Sequence, residues 1–493
     1  NALTANTEGA ANVAVGYISL DALTTGNYNV AVGSESLTDL TTGSFNTGVG
    51  DGAAANTTTA SNNSAFGSGS LLTNTTGAGN TAIGKDALRA NTTADYNTAV
   101  GYAALTANTD GTQNTAVGSS AGTTITTGDY NVAMGVDTLS TLSTGGNNTA
   151  LGKGALAAAT TADNNTAVGY NSLTANTTAS NNTAVGMQSL NANTTGTNNS
   201  ALGRDSLLAN TTGQYNTALG NSALYSNTTA SDNTAVGKNS LLSNTTGASN
   251  VAVGTYALDA NTTASNNTAL GYQALTLNTT GANNVAVGSN ASWGNTTGTQ
   301  NVSMGVQVLN ANSTGSYNTG VGYRALYTNT TAEENTAIGN DAMLDNTTGA
   351  NNTAVGSSAL ANNTTASNNV AVGRHALLLN TTGASNVAVG TYALDANTTG
   401  TYNVAVGENS LGVNIDGSRS TAIGYAALGA QEPASAVDMY NTAVGFHAGN
   451  AVTTGVQNTI VGGLAGDELT TGSQNTALGY QALTLNTTGA NNV

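Results

Sequence analysis

The chain has 493 residues, enough for two or three ordinary domains, yet only 7% are charged and 4% aromatic, and its 62 Gly accompany a single Pro and no Cys. The 39% hydrophobic content is mostly Ala, Val and Leu, which excludes a large aromatic-rich core and also ordinary disorder, which is poor in Val and Leu. A net charge of −17 argues against nucleic acid and anionic membrane as partners, because both attract basic surfaces, and the lack of Cys removes disulfide scaffolds and Cys-ligated metals.

From the first residues onward the motif Asn-Thr/Val-Ala-Val/Leu/Ile-Gly returns at a fixed step. Its glycines stand at Gly16, Gly33, Gly50, Gly67, Gly84 and Gly101, each 17 residues after the last, and the step holds through Gly169, Gly186 and Gly203 to Gly424. Numbering this Gly as position 17, a representative unit is Tyr170 to Gly186, YNSLTANTTASNNTAVG. Gly445 then arrives after 21 residues, and the period resumes at Gly462 and Gly479. Residues 1–493 are therefore predicted to form one continuous repeat array with a four-residue insertion in the repeat 425–445. The array begins at Asn1 and stops at Val493 inside repeats, so we read it as a piece of a longer chain. No signal peptide and no apolar run of membrane-spanning length is present. Asn244–Thr263 is repeated as Asn380–Thr399, a block duplication suited to repeats that contact only their neighbours.

A 17-residue unit is short for a helical pair and suits one coil of a β-solenoid with two short strands and two turns. Positions 13–17, such as Asn182-Thr183-Ala184-Val185-Gly186, alternate like a strand. Positions 14 and 16 share one face and the usual Ala at 15 takes the other. If that Ala turns inward, 14 and 16 form an apolar outer stripe that needs covering. A second strand is expected at positions 3 and 4, as in Ser172-Leu173, and Asn-Thr-Thr-Gly/Ala at positions 7–10 is turn chemistry. The invariant Gly at position 17 implies a positive φ or an approach too close for a Cβ. Position 4 is normally Leu and position 7 Asn, but where position 4 is Gly122, Gly449 or Gly466, position 7 is Ile125, Val452 or Leu469. Both positions are therefore expected to share the coil interior, where an unfilled Leu site would leave a cavity.

The strings Asn250-Val251-Ala252-Val253-Gly254, followed by Ala257-Leu258, and Ser420-Thr421-Ala422-Ile423-Gly424 resemble the Ser-Val-Ala-Ile-Gly-x-x-Ser-x-Ala head repeats of trimeric autotransporter adhesins of the YadA type. The resemblance covers nearly the whole chain, although the unit here is longer. It implies a left-handed parallel β-roll, a homotrimer, an extracellular or cell-surface location and binding to a host or surface ligand. The repeats are also similar to those of phage tail-fibre-like proteins, which implies a virion surface instead. Either way the resemblance implies a structural and adhesive fibre, the shaft or head of a filament.

No catalytic constellation, cofactor motif or metal-ligand spacing stands out, so no enzyme is expected. His375 and His447 both fall at variable position 2 and make a weak metal pair. Asn at position 13, such as Asn182 and Asn199, is expected to hydrogen-bond along the stack, with Leu173 and Val185 as further repeat-defining residues. Asn176 and Asn210 head Asn-Thr-Thr triplets that match the glycosylation acceptor pattern. Trp293, the only Trp, sits in a repeat with Ser292 in place of Leu and reads as gap-filling or surface packing, with recognition as the sharper alternative. Pro433, in the insertion, is a second recognition candidate, because insertions in repeats map to loops on one face. The Tyr residues at positions 1, 2, 5 and 12 read as packing over turns or as a glycan-binding surface. A reading of another class is ice binding by Thr ladders at positions 8, 9 and 14.

Overall fold

A computed structural model of the chain describes residues 2–493. They form an all-β parallel solenoid of 17-residue coils, with no helix among the described residues. Two compact units, Asn1–Ala248 and Ser249–Val493, repeat the same coil. The first carries fourteen strands, from β1 (Val13–Val15) to β14 (Thr234–Val236), and the second fourteen more, from β15 (Val251–Val253) to β28 (Thr476–Leu478). Every strand is three residues long and occupies positions 14–16. Within each unit neighbours pair parallel at the 17-residue offset, as Thr166 to Thr183 in the first and Val370 to Val387 in the second.

The expected second strand does not form. Positions 2, 4 and 12 hold left-handed backbone even with side chains present: Asn171 has φ 51°, Leu173 φ 52° and Asn181 φ 62°. Alternating handedness cannot make a pleated strand, so positions 1–6 run as successive turns. Their backbone groups still pair between coils. Leu173 N donates to Ser189 O at 2.9 Å, and Gln188 N to Tyr170 O at 2.9 Å. Each coil thus satisfies its polar backbone through the coils above and below, although its regular strand is short.

Ala at position 15 faces inward. Ala167, Ala184 and Ala235 are fully buried, as are Leu173, Leu190 and Leu207 at position 4. The interior is narrow enough that Asn, not an apolar residue, fills two of its corners. Asn182 and Asn199 at position 13 are buried. Asn182 Oδ1 accepts from Asn199 N at 3.0 Å, while Asn182 Nδ2 donates to Gly196 O at 3.0 Å. At position 7 a side-chain ladder runs through Asn176, Asn193 and Asn210, with Nδ2 to Oδ1 distances of 3.0 and 2.8 Å. These bonds remove the desolvation cost that buried amides would otherwise carry.

Position 17 must be Gly for both reasons given by the sequence. Gly186 has φ +134°, and a Cβ there would lie 2.4 Å from Gly203 O. The compensation between positions 4 and 7 is also real: Ile125, Val452 and Leu469 are buried, and a Cβ on Gly122 would meet Ile125 Cδ1 at 3.1 Å. Because position 4 is left-handed, Gly adopts it without strain, which is why Gly recurs when Leu is lost. A third member had no sequence signal of its own. Ile460 stands at position 15 where Ala is usual, and its Cδ1 would lie 2.8 Å from a Cβ on Gly449 and 3.4 Å from one on Gly466. A β-branched residue thus fills the space left by two missing leucines.

Candidate binding surfaces

With Ala at position 15 turned in, positions 14 and 16 face out. Val185 is half-buried, while Leu202 is 47% exposed and Leu219 41%, and the same column in the second unit exposes Leu270, Met304 and Ile338. Within each unit the outward sheet face therefore presents an aliphatic row beside a Thr/Val row. The Thr hydroxyls at position 8 are not outward ladders, because Thr177 and Thr194 donate theirs to the carbonyls of Thr194 and Thr211 at 3.2 and 3.0 Å. Only position 14 leaves Thr on the flat face, and there Val interrupts it at Val251, Val285 and Val370.

The candidates singled out by sequence fall in different places. Asn176 and Asn210 are fully buried, and their Nδ2 groups donate to Ala179 O and Gly213 O at 2.9 and 3.0 Å. The amide that would carry a glycan is thus held in the coil interior at both sites. Trp293 is 37% exposed and does not plug the site of the missing Leu. There Ser292 Oγ bonds Ser303 Oγ at 2.8 Å, Ser303 itself replacing the usual Ala at position 15. Pro433 is buried, whereas residues 434–438 are exposed, so the surface of the insertion lies just beyond the proline.

The insertion loops out as expected, and the strands on either side still pair: β25 (Thr421–Ile423) meets β26 (Thr442–Val444) in register. Buried Met439 anchors the loop's return, and Ser418 pairs with Asp438 in an isolated parallel bridge. Ser420 takes the place of Asn at position 13, and Gln431 takes the place of Asn at position 7. Gln431 Oε1 accepts from Ser420 Oγ at 3.1 Å and from Asn441 Nδ2 at 3.0 Å, and its Nε2 donates to Asn414 Oδ1 at 3.1 Å. One longer amide thereby extends the position 7 ladder by a coil, up to the apolar Val452, and bridges the position 13 column where Ser420 is too short.

Aromatic and cationic side chains gather in the same coils. Tyr425, Phe446 and His447 stack with centroids 4.3–5.5 Å apart. Arg419 lies over Tyr402 at 4.9 Å and pairs with Asp438 at 3.0 Å. His375 meets Tyr392 edge-on at 5.2 Å. The two histidines are thus engaged with aromatic rings, and no group of three or more His, Asp or Glu is arranged to hold a metal among the described residues.

A groove of about 450 Å³ opens beside this cluster, lined by Asp395, Asn409, Gly412, Val413, Ala426, Gly429, Ala430 and Asn450. Its floor exists because position 5 is Gly in two consecutive coils, at Gly412 and Gly429, and Gly stands at position 5 in no other repeat. Comparison of that one column would have found the groove from sequence. Partial burial raises the Asp395 carboxyl above the usual range, with His375 acting the other way. Desolvation also raises Glu432, which accepts Ile415 N at 2.8 Å.

The chain matches no known protein-family model and no curated protein.

Proposed function

We propose that the chain is a structural and adhesive element of an extracellular fibre, assembled as a homotrimer, and not an enzyme. The observation that carries this reading is the outward aliphatic row at position 16. Leu202 and Leu219, paired in register in one unit, are large and exposed on its outward sheet face, and Leu270 and Ile338 are likewise exposed in the other unit. Such a contiguous apolar strip calls for a partner surface, and a second and third copy supply one with the same 17-residue spacing. The resemblance to adhesin head repeats supports three copies. The narrow interior supports a scaffold role, since it holds Leu, Ala and bonded Asn and leaves no room for a substrate.

Sedimentation equilibrium under native conditions tests the assembly. The expected mass is three times 48.2 kDa. Leu202→Asp with Leu219→Asp, both on the outer face, should shift the protein toward monomer while leaving its circular dichroism unchanged. A stable wild-type monomer would contradict the proposal.

A further inference from the structure

We propose that the groove floored by Gly412 and Gly429 binds a short neutral saccharide. Biologically this rests on the adhesive reading, but the site is argued from its own geometry. Two successive glycines remove the side chains that otherwise cover position 5, for example Leu344 and Leu378 in earlier coils. The opening, about 450 Å³, lies in the ordinary size range of small-ligand sites.

Polar groups reach over the floor from both ends. Asn450 Oδ1 lies 2.6 Å from where a Cβ on Gly429 would sit, and Asp395 Oδ1 3.6 Å from the same point on Gly412. Asn409 adds a second amide to the lining. Between them the floor is apolar, made of Val413, Ala426 and Ala430. A carboxylate and two amides around an apolar floor match a ring whose edges carry hydroxyls and whose face carries C–H groups. Aromatic side chains, whose flat surfaces suit such a face, stand next to lining residues along the chain. Tyr425 immediately precedes the lining residue Ala426, and Phe446 and His447 stack together one turn before Asn450, whose N–H donates to His447 O at 3.2 Å.

The same features disfavour other ligands. The lining holds one acid and no cation, so a sialylated or phosphorylated ligand would meet a carboxylate without a counter-charge. An extended peptide seeking a strand edge finds the backbone here already paired between coils: Ala426 N donates to Glu408 O and Ala430 N to Asn450 O, each at 2.9 Å.

The full chain is tested on an array of neutral oligosaccharides built from hexoses and N-acetylhexosamines, with sialylated oligosaccharides beside them, and the best binder is titrated in solution. The critical variant is Gly412→Leu. It fills the floor with a side chain that position 5 already carries elsewhere, and Gly412 is outside the left-handed region. Ala361→Leu, also at position 5 but remote from the groove, is the control. We expect a neutral saccharide to bind the wild type and the control equally, and Gly412→Leu to lose at least tenfold in affinity with unchanged circular dichroism and sedimentation. No binding to any neutral saccharide, preference for the sialylated set, or full binding by Gly412→Leu would each overturn the assignment. Sedimentation of the same samples separates the two readings: a monomer that binds in the groove sinks the trimer alone, and a trimer whose binding survives Gly412→Leu sinks the groove alone.

Discussion

Coils 170–237 of the first unit and coils 391–445 of the second use the same 17-residue plan with different consequences. In the first, the position 7 ladder passes without a break from Asn176 through Asn193, Asn210 and Asn227, every link 2.8–3.0 Å long. In the second it fails. Asn397 Oδ1 is buried without a partner, Asn414 Nδ2 turns to Gly417 O at 2.8 Å, and only Gln431 resumes the chain of bonds. The insertion and the glycine pair at position 5 fall in that second stretch, and the stacked aromatics Tyr425, Phe446 and His447 straddle its end. The stack tolerates local novelty because each coil is bonded mainly to its immediate neighbours. Departures from the repeat therefore collect where they are affordable, and surface chemistry differentiates there while the sheet pairing continues.

The sharpest break of this comparison is expected at glycines of different kinds. In the regular stretch, Gly186→Ala would force a Cβ to within 2.4 Å of Gly203 O on a backbone at φ +134°. We expect a loss of about 3 kcal/mol or more, read as accelerated amide exchange in coils 170–203. Gly412→Ala, whose nearest neighbour would be Asn409 O at 3.2 Å, should leave exchange close to wild type. Equal effects at the two sites would mean that position 17 is not the constrained point of the coil.

A second contrast lies inside the insertion. Residues 434–438 are exposed, but Met439 is fully buried, and its Cγ would lie 3.1 Å from a Cβ on Gly417. Deleting Ala434–Val437 restores the common coil length and should change the unfolding free energy by less than about 1 kcal/mol. Met439→Ala should cost about 2–4 kcal/mol by opening a cavity. Denaturant unfolding of the two variants side by side checks this. A deletion as costly as Met439→Ala would make the whole insertion structural.

Much of the coil was legible in the sequence, and the gaps have physical causes. The invariant Gly at position 17 and the exchange between Gly122 and Ile125 are size constraints, and size is written directly in residue identity. The direction of the strand was not fixed, because Thr-Ala-Val alternates equally well with either face inward. It is decided by the interior, too narrow for Val and Leu to enter from position 16 beside Leu at position 4. The left-handed Leu173 carried no signal, since Leu rarely adopts φ near +52° and propensity alone favours a strand. The same turn chemistry that marks Asn176 as a loop residue hid its burial. Its side chain completes the coil interior, which a triplet pattern does not reveal. The groove was missed for a different reason: Gly412 and Gly429 look like ordinary turn glycines until their column is compared with every other repeat.

The smallest expected effect concerns Asp395, at one end of the groove, whose counterpart Asp259 at position 5 of an ordinary coil is raised by burial in the same way. The Asp395 carboxyl is held above the ordinary range chiefly by burial, with backbone N–H groups and the nearby His375 pulling the other way. A raised value in the folded chain means that ionisation is costlier there than in the unfolded chain. The side chain therefore detracts from stability above both values, and this cost vanishes below the unfolded value, roughly pH 3.9. Asp395→Asn should accordingly be slightly more stable than the wild type at pH 7, by less than about 1 kcal/mol because the group is only partly buried and solvent screens it. The difference should close as pH falls through the carboxylate range. Melting curves of the two proteins at pH 7 and pH 3 decide it. A variant that melts lower at pH 7 would mean that the backbone N–H groups of Asp395 and Ala396, which favour the ionised carboxylate, outweigh the cost of its burial.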